Sequence, residues 1–142
     1  MATAFNLAKR NLFKGLFNVP TCTMKVALMD PTWTPDIDTE DFWSDISAKE
    51  ITGTGYTAGG QTLTNCTIAV DTVNDWIKFD ADDSAWTISG GATMTRLVVY
   101  RDTGVAATSP LLFHANDGGF PQLASGGLFT VTWSSNGLVR LT

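Results

Sequence analysis

The sequence predicts an all-β protein, an antiparallel β-sandwich or barrel of about eight short strands with an N-terminal helical or extended arm. Short apolar stretches recur between turn residues from position 23 to the C-terminus, and no helical apolar period separates them. Nothing along the chain resembles a strand–helix–strand unit, which argues against a parallel sheet. A chain of 142 residues is long enough for one domain with a substantial core.

The strands are predicted from alternating apolar positions and the turn residues between them. Residues 23–29 form the first strand, because apolar side chains alternate there with Lys25 and Ala27. Asn136-Gly137 predicts a hairpin turn between the last two strands. The remaining predicted strands are residues 61–70, 75–80, 85–88, 93–101, 110–115, 127–133 and 137–141.

Residues 1–22 are predicted to form a basic amphipathic arm, and residues 23–142 a single β domain. The first 25 residues hold four basic residues and no acid, whereas the remainder holds five basic residues and all fourteen acids. This asymmetry favours docking of the arm on an acidic surface. A helix packed on its own domain or lying on a membrane surface stays open as an alternative. A helical period over residues 4–18 gives the arm one apolar face, made of Phe5, Ala8, Leu12 and Leu16.

Two groups of residues are the candidates for an interface. The first consists of the apolar and basic side chains of the arm. The second consists of two tryptophans in an acidic, loop-like stretch, since aromatic anchors are common at the centre of protein interfaces. The nine candidates are Phe5, Lys9, Arg10, Leu12, Phe13, Lys14, Phe17, Trp33 and Trp43.

The inventory of reactive side chains argues against an enzyme. Nucleophilic catalysis usually requires a histidine base, and His114 is the only histidine, with no nucleophile-elbow motif in the chain. The carboxylates cluster in loops at 36–45 and 80–83, without the spacing of a calcium-binding EF-hand. We therefore expect no catalytic, cofactor or metal site, and calcium binding by these loops stays open.

Charge and cysteine content restrict the partners. A sequence pI near 4.5 argues against a nucleic-acid partner, and no segment approaches the ~18 apolar residues that a membrane-spanning helix needs. The interrupted apolar pattern of residues 1–20 does not resemble a signal peptide. Whether Cys22 and Cys66 pair with each other stays open, because nothing in the sequence marks the chain as secreted.

Two stretches of the chain carry a resemblance to a known group of proteins. The first runs from Lys25-Val26-Ala27-Leu28 to Glu50-Ile51-x-Gly-Thr-Gly-Tyr-x-x-Gly-Gly-x-x-Leu63. The second joins Asp80-Ala81-Asp82-Asp83 to the Val98-Val99-Tyr100 strand and Asp102-Thr103-Gly104. This pattern resembles small structural proteins of tailed-bacteriophage virions. The chain departs from the group at residues 114–119, where members often carry an Asp-Phe-Gly strand.

The resemblance implies a virion component that acts by binding, assembled in the host cytoplasm. A capsid decoration or cement protein fits best, and its partners would be the major capsid protein or other virion subunits. Such a protein is expected to form a homo-oligomer, with a trimer favoured. A tail, head–tail adaptor or fibre-base component is the first alternative. A carbohydrate-binding β-sandwich module is the second, since tryptophans can form a sugar-binding platform.

Overall fold

The computed structural model describes residues 2–117, 119–134 and 136–141, with the backbone alone for residues 139–141. It confirms the all-β class: every strand pairing is antiparallel, and no sheet closes into a barrel within these residues. The helical parts are α1 (Asn6–Phe13), α2 (Trp43–Ile46) and two 3-10 turns, Ser47–Lys49 and Ala106–Thr108. In chain order the strands are β1 (Thr3–Ala4), β2 (Met24–Met29), β3 (Gln61–Thr62), β4 (Thr67–Asp71), β5 (Trp76–Asp80), β6 (Ser84–Thr87), β7 (Thr93–Met94), β8 (Arg96–Arg101), β9 (Leu111–Ala115), β10 (Gln122–Leu123), β11 (Leu128–Val131) and β12 (Val139–Leu141).

The core is built on a five-stranded sheet with the spatial order β1-β9-β8-β2-β3. Its central strands β2, β8 and β9 are almost continuously buried, so both faces of the sheet are covered. Their apolar runs explain this, since strands buried on both faces need no polar alternation. The sequence identified all three strands, and their bounds agree with the predicted ranges to within a few residues.

Three smaller sheets pack around this core. One is three-stranded, with the order β12-β5-β4, and the other two are the pairs β11-β6 and β10-β7. The predicted strand 61–70 is in fact two strands in different sheets, because β3 pairs with β2 whereas β4 pairs with β5. Asn65 adopts a positive φ of 51° between them, which turns the chain. The predicted strand 93–101 is likewise divided into β7 and β8.

The predicted C-terminal hairpin is wrong. Strands β11 and β12 flank the Asn136-Gly137 turn, but β11 pairs with β6 and β12 pairs with β5. The turn therefore transfers the chain from one sheet to another. Turn chemistry indicates a change of direction and does not by itself select the partner strand.

Helix α1 is shorter than the period over residues 4–18 predicted. It ends at Phe13 because Gly15 adopts a left-handed φ of 71°, the common geometry just beyond a helix C-terminus. Its buried side carries Ala8 and the polar Asn11, while Leu12 is only partly buried. Strand β1 before the helix pairs with β9, so residues 3 and 4 belong to the central sheet.

Candidate interaction surface

The N-terminal segment packs on the domain instead of extending from it as an arm. Phe5, Ala8, Phe17 and Val19 belong to the same buried cluster as the central strands. This corrects the expectation of a separate arm, and the physical reason is the large apolar area that these side chains remove from water. The alternative of a helix packed on its own domain describes the observed arrangement.

The acidic surface that receives the basic helix is the chain's own loop at residues 36–45. The Asp41 carboxylate pairs with the Arg10 guanidinium and accepts a hydrogen bond from Asn11 Nδ2 at 2.7 Å. Asn6 donates from its backbone to the Ile37 carbonyl at 2.9 Å and from its side chain to Asp38. The charge asymmetry of the sequence is therefore partly satisfied within the chain.

Four of the nine interface candidates are buried, which corrects their assignment. Phe5, Phe17, Trp33 and Trp43 retain at most 8% of their accessible surface. The Trp43 ring stacks on Tyr100 with centroids 4.5 Å apart, and Trp33 Nε1 donates to Glu40 Oε1 at 3.0 Å. The acidic residues around these tryptophans made them resemble surface residues, but the carboxylates serve as hydrogen-bond acceptors for the loop.

Of the other five candidates, Lys9, Arg10, Phe13 and Lys14 are exposed, Arg10 with its ion pair to Asp41, whereas Leu12 is partly buried against the core. Phe13 is the most exposed large apolar side chain in the described part of the chain, at 96%. Lys9 and Lys14 are also exposed, and the Lys9 ammonium donates to Asn6 Oδ1 at 2.9 Å, so the C-terminal half of α1 presents an aromatic ring and two cations. An exposed phenylalanine is costly in water, which makes this end of the helix a candidate contact.

An apolar groove runs from α1 to strands β4 and β5. It encloses a cavity of about 60 Å³ whose walls are almost entirely apolar. The N-terminal segment contributes Ala8, Leu12 and Val19 to one wall, and the β4–β5 hairpin contributes Ile68, Ile77 and Phe79 to the other. Helix and hairpin therefore face each other without closing the space between them.

The β4–β5 hairpin continues this apolar surface beyond the groove. The register pairs Ile68 with Phe79 and Val70 with Ile77, so these four side chains share one face. Phe79 is buried, whereas Ile68, Val70 and Ile77 remain 48%, 68% and 44% exposed. We call Leu12, Phe13, Ile68, Val70 and Ile77 the apolar face. Sequence reasoning missed its three strand residues, although their alternation with Thr67, Ala69 and Asp71 was visible.

The glycine-rich motif that carries the resemblance forms a partly buried hydrogen-bond network. Glu50 accepts from the Tyr56 hydroxyl at 2.6 Å and from the Gly59 amide at 2.8 Å. The Tyr56 hydroxyl in turn accepts from the Leu28 amide at 3.0 Å, and the Tyr100 hydroxyl donates to the Gly59 carbonyl at 2.7 Å. Burial raises the pKa of the Glu50 carboxyl, against the opposite effect of these hydrogen bonds. The network attaches the loop to the central sheet.

Two glycines of the motif stand where backbones meet. A Cβ on Gly60 would overlap the Val26 carbonyl oxygen, and a Cβ on Gly55 would overlap that of Thr87. Both glycines also have positive φ angles, of 73° and 87°. Their residue type follows from packing, so the motif needs no ligand to explain it.

His114, the only histidine of the sequence, is buried in the core. Its ring meets Phe5 and Trp33 edge-on, with centroids 5.6 and 5.8 Å away. Nδ1 has no hydrogen-bond partner among the described residues. Burial, assisted by the nearby charge of Arg96, lowers the pKa of His114 to about 4. The ring is therefore neutral at physiological pH.

The cysteines and the acidic loops provide no second candidate for a functional site. Cys22 and Cys66 are free thiols whose pKa values are raised by burial. Within residues 2–117, 119–134 and 136–141, no three His, Cys, Asp or Glu side chains gather as a metal site would require. Nor does that part of the chain contain a helix with the length and apolarity to cross a bilayer.

Comparison with known proteins adds no family to this description. No protein-family model, curated protein or solved structure matches the chain. The function must therefore be argued from the surface itself, together with the sequence pattern.

Proposed function

We propose that the protein is a structural component of a bacteriophage virion, acting as a capsid decoration or cement protein that binds and stabilises the head shell. The observation that carries the proposal is the apolar face, with Phe13 96% exposed at its end beside Lys9 and Lys14. The sequence pattern shared with phage virion proteins supplies the class of partner, which is the major capsid protein or another virion subunit.

The chemistry of this surface supports binding. Burial of one phenylalanine against a partner contributes about 1.5–3 kcal/mol, enough to anchor a small contact. Lys9 and Lys14 would attract an acidic patch on the capsid protein, and salt would weaken that attraction. Repetition of a modest contact over the copies of an oligomer gives the avidity that a cement protein needs. The protein would join the virion in the host cytoplasm.

Occupancy on phage particles tests the proposal. Heads of the encoding phage, produced without this protein, are mixed with wild-type chain, with Phe13→Ser, or with Leu128→Ser as the matched control. Leu128 is also an exposed apolar side chain, at 74%, but it lies on β11, outside the apolar face. We expect Phe13→Ser to weaken occupancy about 10- to 100-fold and the control to bind as wild type.

Equal binding of the two variants would show that the apolar face is not the contact. No binding by the wild-type chain would show that the phage head is not the partner. Truncation of residues 2–19 is unsuitable as a test, because Phe5, Ala8 and Phe17 are buried and the truncated chain would lose part of its core.

A tail, adaptor or fibre-base role is the alternative that the same surface supports. Copy number in purified virions separates the two roles, since decoration requires on the order of hundreds of copies and a tail ring about a dozen or fewer. A carbohydrate-binding role has less support than the sequence suggested, because three of the five tryptophans, Trp33, Trp43 and Trp86, are buried.

A further inference from the structure

We propose that two copies of the chain associate through the outer edges of their β4 strands, forming one continuous sheet across a two-fold axis. Strand β4 is the last strand of the order β12-β5-β4, so only one of its edges is paired within the chain. No backbone hydrogen bond from elsewhere in the described chain reaches residues 67–71 on the other side. The edge therefore presents unpaired amide and carbonyl groups to solvent.

This edge lacks the features that usually prevent strand addition. Natural proteins protect edges by keeping them short, or by placing lysine, proline or a bulge on them. The edges of the central sheet follow this rule, since β1 and β3 have two residues each. Strand β4 has five residues, Thr-Ile-Ala-Val-Asp, with neither lysine nor proline and with a regular register to β5.

The sequence of the edge is complementary to itself. In an antiparallel pair centred on Ala69, Ile68 lies opposite Val70 of the second copy, and Thr67 lies opposite Asp71 of the second copy. Each carboxylate then faces a hydroxyl that can donate a hydrogen bond to it. A parallel pair in register would place the two Asp71 carboxylates side by side, which is destabilising. Charge therefore selects the antiparallel arrangement.

The pairing also covers apolar surface that each chain leaves exposed. Ile68 and Val70 of both copies would lie on the same face of the joined sheet, next to the two Ile77 side chains. Val70, at 68% exposure, is the most exposed of these and lies on the edge strand itself. The occupant that the edge fits is thus a second copy of this chain, and the inference does not depend on the proposed virion role.

A covalent trap tests the geometry directly. Because Ala69 lies on the two-fold axis, its Cα would be about 4.5–5.5 Å from the same atom of the second copy, within the range of a disulfide. Ala69→Cys is made in a background with Cys22→Ser and Cys66→Ser and then oxidised mildly. We expect a cross-linked dimer in high yield. The matched control is Thr67→Cys on the same strand face, which pairs with position 71 and should give little cross-linking.

Mass measurement in solution provides the second test. Light scattering on purified chain is expected to give twice the 15.3 kDa chain mass at high concentration. Val70→Lys adds a charge to the edge and should raise the dimer dissociation constant at least tenfold. Val105→Lys replaces an exposed valine in the loop that joins β8 and β9, and should leave the dimer unchanged. Circular dichroism confirms that both variants are folded.

Four outcomes would overturn the inference, three of which come directly from the tests above. They are a monomeric wild type at the highest soluble concentration, a Val70→Lys variant that dimerises as well as Val105→Lys, and equal cross-linking at positions 67 and 69. A wild-type trimer would overturn it as well, because a self-complementary edge forms pairs, whereas a trimer needs two different surfaces.

Discussion

The glycine loop at residues 50–60 and the β4–β5 hairpin differ in how many of their polar groups are hydrogen-bonded and how many of their apolar side chains are buried. In the loop, the Glu50 carboxylate and the Tyr56 hydroxyl have hydrogen-bond partners, and Gly60 lets the backbone touch β2. In the hairpin, Val70 and Ile77 face solvent and the strand edge is unpaired. The comparison teaches that the recognisable motif serves the fold, while the surface available for binding lies in residues with no distinctive motif.

The largest expected effect is at Gly60, and it tests whether the loop is a packing feature. Gly60→Ala should destabilise the protein by more than about 3 kcal/mol, because the new Cβ overlaps the Val26 carbonyl. Gly91→Ala is the matched control: its φ of 76° is close to the 73° of Gly60, but an added Cβ meets nothing within 4 Å. Denaturant unfolding measures both, and equal losses would show that close approach is irrelevant.

Lowering the pH should reduce the free energy of unfolding through the titration of His114. The unfolded state takes up a proton as pH falls below 6.5, while the folded ring stays neutral until its pKa of about 4. The free energy of unfolding should therefore fall by about 1.4 kcal/mol per pH unit between these values, and the contribution vanishes above pH 6.5. Denaturant unfolding of wild type and His114→Gln at several pH values checks this. If the free energies of unfolding of the two proteins changed in parallel with pH, the lowered pKa of His114 would be refuted.

Removal of one hydroxyl should weaken the loop network more moderately. Tyr56→Phe leaves the buried Leu28 amide without its acceptor and removes one of the two hydrogen bonds to Glu50 Oε1, at a cost of about 1–3 kcal/mol. Amide hydrogen exchange should locate the change, with faster exchange at Leu28 and Gly59. A variant as stable as wild type would mean that water or another group replaces the hydroxyl.

The smallest expected effect on stability is at the apolar face. Phe13→Ser and Val70→Lys should each change the free energy of unfolding by less than about 0.5 kcal/mol, because both side chains are already exposed. Thermal or denaturant unfolding at a concentration where the chain is monomeric checks this. A large loss in either variant would mean that the face supports the fold and is not free for a partner.

The sequence was sufficient for the fold class and for strands β2, β8 and β9, because continuous apolar runs have few other uses. It was insufficient where tertiary packing determines whether a side chain is buried or where a strand ends. Whether Trp33 and Trp43 lie inside depended on which carbonyls and carboxylates the folded loop brings to them. The division of residues 61–70 into β3 and β4 depended on a single turn at Asn65, which composition does not reveal.

The candidate surface was predictable only in part, for a related reason. Lys14 could be identified from the helix period, since it lies opposite the predicted apolar side of the helix, whereas the exposure of Lys9 and Phe13 is evident only from the structure. Phe5 and Arg10 could not be assigned, because Phe5 anchors the core and Arg10 pairs with Asp41. Ile68 and Val70 resemble ordinary core residues in the sequence. Only the topology shows that their strand has no neighbour on one side.

Hydrogen exchange of the chain, free and mixed with heads of the phage that we propose encodes it, tests the central proposal most directly. We expect slower exchange in α1 and β4 on binding, relative to free chain at the same concentration, and no change at residues 50–60. Protection confined to residues 50–60, with α1 and β4 unchanged, would contradict the account.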